Sequence, residues 1–178
     1  MQKLTVTEMN RLSAEDYRRA EKLPLVVVLD NVRSQHNIGA VFRTADAFRL
    51  QGVYLCGICC CPPNQEIHKT ALGAEQTVDW RYFEQTEEAV NSLKKDGFTV
   101  FAVEQAHDSI TIQQLDLKKD GKYAVVFGHE VFGVQQEVVD KCDACVEIPQ
   151  YGTKHSLNVS VTAGILMYEL SNTLRSLQ

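Results

Sequence analysis

The chain has 178 residues, 44% of them hydrophobic, 8% aromatic and 23% charged, a composition that suits one globular domain and excludes disorder, collagen-like repeats and disulfide scaffolds. Against 23 Asp and Glu stand 18 Lys and Arg, a net charge of −5, so any contact with nucleic acid must come from a local patch or a nucleotide-specific site. The first residues hold no apolar run of signal-peptide kind, and the longest aliphatic stretch, Leu25 to Leu29, is far short of the ~20 residues that span a membrane, which points to the cytoplasm and to reduced thiols.

From Thr7 to Lys22 the chain is polar and helix-prone, with a Ser13-x-x-Asp16 capping pattern and Pro24 behind it. This predicts a helical appendage over residues 1–24 ahead of a domain over 25–178. The aliphatic run Leu25-Val26-Val27-Val28-Leu29-Asp30 has the pattern of a strand covered on both faces. Ile38, Val41, Phe42, Ala45 and Phe48 then recur at helical spacing, and Val53 to Leu55 reads as a second strand. Pro62-Pro63-Asn64 breaks the chain and caps a short helix ending near Gly73, and Thr86 opens another helix that Gly97 ends. Strands are predicted over Phe98 to Glu104, Tyr123 to Phe127 and Cys145 to Ile148, with a helix over Val134 to Lys141 between the last two. Val159, Thr162, Ala163, Leu166, Met167, Leu170 and Leu174 make one stripe of a closing helix. The alternation gives an α/β fold, a single domain with a mostly parallel sheet flanked by helices. Ligands of such sheets sit beyond the carboxyl ends of the strands, here the loops after Asp30, Glu104, Phe127 and Ile148.

No G-x-G-x-x-G, P-loop or G-x-S-x-G element occurs, which argues against dinucleotide dehydrogenases, P-loop enzymes and serine hydrolases. Cys56-x-x-Cys59 and Cys142-x-x-Cys145 have the local spacing of zinc ligands, but the pairs lie too far apart for a finger or ribbon. Free cysteine at a strand end packs as a small hydrophobe, so no metal site is expected. His36, His129 and His155 fall in the loops of interest, where each also reads as an ordinary surface residue.

Three segments carry polar residues where folding alone needs none. In the first, Asn31 to Phe48, Asn37 is a candidate helix cap and Gly39 permits close approach by a ligand or a second backbone. Arg43 lies inside that otherwise apolar helix, with Asp46 available as a simple surface partner. In the second, Phe127 to Gly133, a strand runs into Gly128 with Glu130 two residues later. That either bares backbone groups at the ligand edge or merely makes a two-glycine turn. The third, Ile148 to Val161, delivers Ser156 and Asn158 to a helix N-terminus, where N–H groups favour negative charge or are simply capped.

In this order the segments resemble the three motifs of the SpoU (TrmH) family of RNA ribose methyltransferases, within the SPOUT class. The first follows N-x-G-A-x-x-R-x-A-x-A-F at Asn37, Gly39, Ala40, Arg43, Ala45, Ala47 and Phe48. The second follows G-x-E-x-x-G at Gly128, Glu130 and Gly133. The third follows I-P-x-x-G-x-x-x-S-L-N-V-S-V from Ile148 and Pro149 through Gly152 to Ser156, Leu157, Asn158, Val159, Ser160 and Val161. Two positions depart from the pattern. Arg49 stands where a glycine often follows Ala-Phe, and Gln150 where a methionine often follows Ile-Pro.

The resemblance implies S-adenosyl-L-methionine as methyl donor, a ribose 2′-hydroxyl of RNA as acceptor, a C-terminal trefoil knot and a homodimer. It implies cofactor binding at Ala106, Gly128, Ile148 and Leu157 with Ser156 nearby, and catalytic duties at Arg43, Asn37, Glu130, Ser156 and Asn158. An arginine does not readily give up its proton, so Arg43 is expected to grip a phosphate and steady charge developing on the ribose oxygen. Asn37, Ser156 and Asn158 would orient the ribose and the loop, while Glu130 would hold its loop or favour the cationic donor. Ribosomal members of the family often carry a separate N-terminal RNA-binding domain, and only about 24 residues precede the first strand, so tRNA is expected over rRNA. The alternatives are rRNA methylation, or a non-catalytic RNA- or nucleotide-binding protein that keeps the fold. Leu166, Met167, Leu170 and Leu174 are the candidate dimer interface, ordinary packing on the sheet being the other reading.

Overall fold

The aliphatic run after Pro24 divides by parity. Leu25, Val27 and Leu29 enter one hydrophobic core, Val26 and Val28 the other, which is why the run shows no polar alternation. The computed structural model describes residues 1–5 and 7–178; Val6, within the expected appendage, lies outside the described residues. In chain order the elements are α1 (Ala14–Arg19), β1 (Leu23–Asp30), α2 (Gln35–Phe48), β2 (Leu50–Cys56), α3 (Gln65–Ala71), β3 (Trp80–Phe83) and α4 (Thr86–Lys95). They continue with β4 (Phe98–Val103), β5 (Ile110–Thr111), β6 (Lys122–Phe127), α5 (Gln136–Val139), β7 (Ala144–Glu147) and α6 (Val159–Leu177). The strands form a 7-stranded sheet in the order β3-β2-β1-β6-β4-β7-β5, parallel throughout. One face is covered by α2, α3 and α6, the other by α4 and α5. None of the described helices is long and apolar enough to cross a membrane.

Three expectations change. The appendage helix runs only from Ala14 to Arg19, because Tyr17 is its one buried side chain and so short a helix is not stable on propensity alone. The Val134-to-Lys141 helix shrinks to Gln136–Val139 for the same reason, with only Val138 buried. Leu166, Met167, Leu170 and Leu174 are at most 1% exposed and belong to the core, so they are not a dimer interface. The exposed apolar residues of α6 are Val161, Ile165, Tyr168 and Leu177.

Gly39 answers to a second backbone. A Cβ there would stand 2.1 Å from Thr70 Oγ1 and 2.3 Å from the carbonyl oxygen of Ile67, so α2 and α3 meet at contact distance. At the other end of α2, Arg49 takes the glycine-favouring C-cap position at φ 54°, ψ 51°, while its carbonyl accepts from Leu23 N–H at 2.9 Å. A non-glycine residue there carries about 1–2 kcal/mol of strain. Arg49→Gly is therefore expected to raise stability by about 0.5–1 kcal/mol in urea denaturation, the remainder offset by glycine's larger unfolded-state entropy. A fall in stability would mean that the Arg49 side chain contributes more than its backbone strain removes.

Candidate functional site

The carboxyl ends of β4, β6 and β7 open onto a cavity of about 520 Å³, lined by residues 103–105, 127–133, 146–148 and 155–159 together with Gln150 and Thr162. That volume lies within the range of small-molecule sites. The lining contains Glu104, Glu130 and Glu147 but no lysine or arginine. A phosphate-rich ligand would find no countercharge there. A donor carrying a sulfonium and an ammonium would face carboxylates, so the residues present fit S-adenosylmethionine.

The hairpin after β6 shapes one wall. Its base is closed by His129 N–H to Gly133 O at 3.0 Å and Gly133 N–H to His129 O at 2.9 Å. Glu104, just past β4, accepts from Val134 N–H at 3.2 Å and from Gln105 N–H at 2.9 Å. Across the cavity, Gln105 Nε2 donates to His155 O at 2.7 Å, tying the last polar loop to the β4 end.

Asn37 links all three polar segments, bonding to Glu130 of the second and Asn158 of the third, and Glu130 is held by the first. The Glu130 carboxylate accepts from the N–H groups of Arg33 at 3.0 Å and Ser34 at 2.9 Å, and from Asn37 Nδ2 at 3.0 Å. Desolvation pushes its pKa up, but these donors outweigh it and hold the carboxyl below its ordinary value, so it is a carboxylate at neutral pH. Asn37 Oδ1 in turn accepts from Asn158 Nδ2 at 3.2 Å. Asn158 is also the N-cap of α6, its Oδ1 accepting from Ser160 N–H at 2.9 Å, so the capping and functional readings both hold for it.

Other expected residues fall differently. Asn37 does not cap α2: Ser34 does, and Asn37 lies one turn inside the helix, free to reach Glu130. Gly128, Glu130, Ile148, Ser156, Leu157 and Asn158 line the cavity, whereas Ala106 stands one residue beyond Gln105 and is not part of its wall. Arg43 is exposed on α2, outside this cavity, and enters none of the ion pairs among the described residues. Its expected partner Asp46 instead accepts from Thr77 Oγ1 at 2.9 Å. Burial pushes the Cys59 and Cys142 thiols up to about 12 and that of Cys56 higher still, so none is a ready thiolate. Glu104 and Glu147 are functional candidates that motif reading missed. Their signal was positional, since each ends or directly follows a strand at the ligand edge.

Comparison with known proteins gives a consistent assignment. A family model described as the SpoU rRNA Methylase family matches residues 24–168. The tRNA (guanosine(18)-2′-O)-methyltransferase of Thermus thermophilus is 33% identical over 163 residues, covering 92% of this chain and 82% of its own. The AdoMet-bound rRNA methyltransferase from Sinorhizobium meliloti superposes with a TM-score of 0.79 at 28% identity, over 89% of this chain but only 60% of that one. The A. aeolicus TrmH/SpoU tRNA modifying enzyme gives 0.79 at 27% identity, over 92% of this chain and 82% of its own.

Proposed function

This chain belongs to the SpoU methylase family, and from that premise we propose that it methylates a ribose 2′-hydroxyl of tRNA as a homodimer whose sites are completed by Arg43 of the second subunit. It is an S-adenosylmethionine-dependent RNA methyltransferase. The relative named for guanosine 18 of tRNA, alike over most of both chains, supports tRNA as the acceptor. The same reading includes an appendage over 1–24, a methyltransferase domain over 25–178, a trefoil knot at the C-terminal end of the sheet, and work in the cytoplasm where the RNA is.

The observation that carries the proposal is the separation of Arg43 from an acidic cavity that lacks any cation. Arg43 lies on α2 beside α6, where Phe48 and Tyr168 stack edge to face at 5.9 Å and Arg175 Nη2 donates to Phe48 O at 2.8 Å. On α6 the apolar Val161, Ile165 and Tyr168, spaced to share one helix face, are 51%, 38% and 55% exposed. Pairing two copies through this face would bury those side chains, and we assign each Arg43 to the other copy's cavity.

When bound, the cofactor supplies an electrophilic methyl group on a sulfonium. The chain must hold the ribose oxygen in line with it and stabilise that oxygen as its proton passes to solvent water. Arg43 serves as a planar fork for an adjacent phosphate and for the developing oxyanion. Glu130, Asn37 and Asn158 lock the loops around it, and Ser156 at the cavity wall orients the ribose.

The test is transfer of labelled methyl from S-adenosylmethionine to tRNA and to rRNA, followed by mapping of ribose methylation. Label confined to a tRNA nucleotide is the expected result. Label confined to rRNA would move the substrate to the ribosome, and cofactor binding without label would mean that the fold survives without the chemistry. For the dimer, Ile165→Asp with Tyr168→Asp is expected to shift sedimentation from twice the chain mass to the 20.0 kDa monomer and to abolish transfer. A parent protein that sediments only as a monomer would remove the dimer.

A further inference from the structure

Phe132 is 83% exposed and Val131 70% exposed at the mouth of the donor cavity, an unusual expense of apolar surface beside a polar wall. Neither occupies a matched position of the family motif, which at this hairpin involves Gly128, Glu130 and Gly133. The support beneath Phe132 is fixed. The hairpin base is closed by the His129–Gly133 pair of hydrogen bonds, and the Glu130 carboxylate is pinned by Arg33, Ser34 and Asn37. The ring of His129 lies 4.9 Å from that of Phe132 at 33°. Val131 N–H donates to His129 Nδ1 at 3.0 Å, which holds the imidazole's orientation. On this support the Phe132 ring, in contact with His129, stands open to solvent.

Resting on the RNA methylation reading, we propose that Phe132, backed by His129, is the platform on which the base of the methylated nucleotide stacks. A nucleotide offering its 2′-hydroxyl to the donor must bring its base close to the cavity mouth, and every base has a π-face that suits an aromatic platform. Such a surface reads extrusion rather than base identity. The substrate nucleotide is thus one that can leave its stack, in a loop or bulge, in preference to one inside a helix.

Phe132→Ala and Phe132→Trp, assayed with unmodified tRNA transcripts, test the assignment. Phe132→Ala is expected to raise KM for tRNA by roughly 5- to 150-fold, the range that loss of one stacked base produces, with a much smaller change in S-adenosylhomocysteine affinity and with sedimentation unchanged. Phe132→Trp is expected to keep the parent KM, and its fluorescence to be quenched by tRNA beyond the change seen for Trp80 in the parent. An unchanged KM in Phe132→Ala overturns the platform. So does a parallel loss of S-adenosylhomocysteine binding, which would make the ring a cover for the cofactor, or dissociation of the dimer, which would make it an interface residue. A parent protein that methylates no RNA would instead defeat the functional reading itself, so the two failures are told apart.

Discussion

Replacing Arg43 by alanine is expected to lower turnover about 100- to 1,000-fold and to leave the affinity for S-adenosylmethionine unchanged. The division of labour follows from position: Arg43 is exposed on α2 and absent from the cavity wall, so nothing in the cofactor's surroundings depends on it within one protomer. Arg43→Lys is not expected to restore the rate, because a point charge cannot hold a phosphate and a second oxygen in the plane that a guanidinium offers. Calorimetry with S-adenosylmethionine and a methyl-transfer assay check both statements. Equal loss of binding and turnover would reject the separation. Co-expressing Arg43→Ala with Gly128→Ala adds a sharper test. If Arg43 acts across the dimer, each mixed pair keeps one intact cavity facing one intact arginine and regains activity. Inactive mixed dimers would place the arginine's work in its own subunit.

Gly128→Ala is expected to weaken cofactor binding at least ~100-fold and to lower stability by more than ~2 kcal/mol. A Cβ at residue 128 would stand 2.0 Å from the carbonyl carbon and 2.2 Å from the oxygen of Gly133, and 2.1 Å from the nitrogen of Val134. These are backbone atoms on the far side of the hairpin, so no rotamer change relieves the clash and the hairpin must open. Opening it disturbs the Val134 N–H bond to Glu104 and the anchorage of Glu130 on Arg33 and Ser34, which together form one wall of the cavity. Titration with S-adenosylhomocysteine and urea denaturation measure the two effects. Unaltered affinity would mean that the hairpin does not shape the binding site.

Much of this molecule is written in local pattern. Leu25 to Asp30 specifies a strand covered on both faces, Asn64 and Asn158 cap the helices they precede, Gly128 and Glu130 fall just past the end of β6 where an α/β sheet exposes its ligand edge, and Ser156 and Asn158 fall at the N-terminus of α6. These follow from propensity, spacing and capping chemistry, which act over a few residues and survive in any tertiary context. Other features had no such record. β3 and β5 are short edge strands without a long apolar run, visible only once β2 and β7 provide their partners. Asn37 reads as a cap until the fold brings Glu130 and Asn158, distant in sequence, within hydrogen-bonding reach. The stripe of Leu166, Met167, Leu170 and Leu174 shows apolar spacing, yet spacing cannot say what covers it; the sheet does, and Val161, Ile165 and Tyr168 remain outside. The acidic cavity has the same origin. Glu104, Glu130 and Glu147 come together because the strand order places β6, β4 and β7 side by side, and only that arrangement of distant segments turns three separate carboxylates into one electrostatic environment.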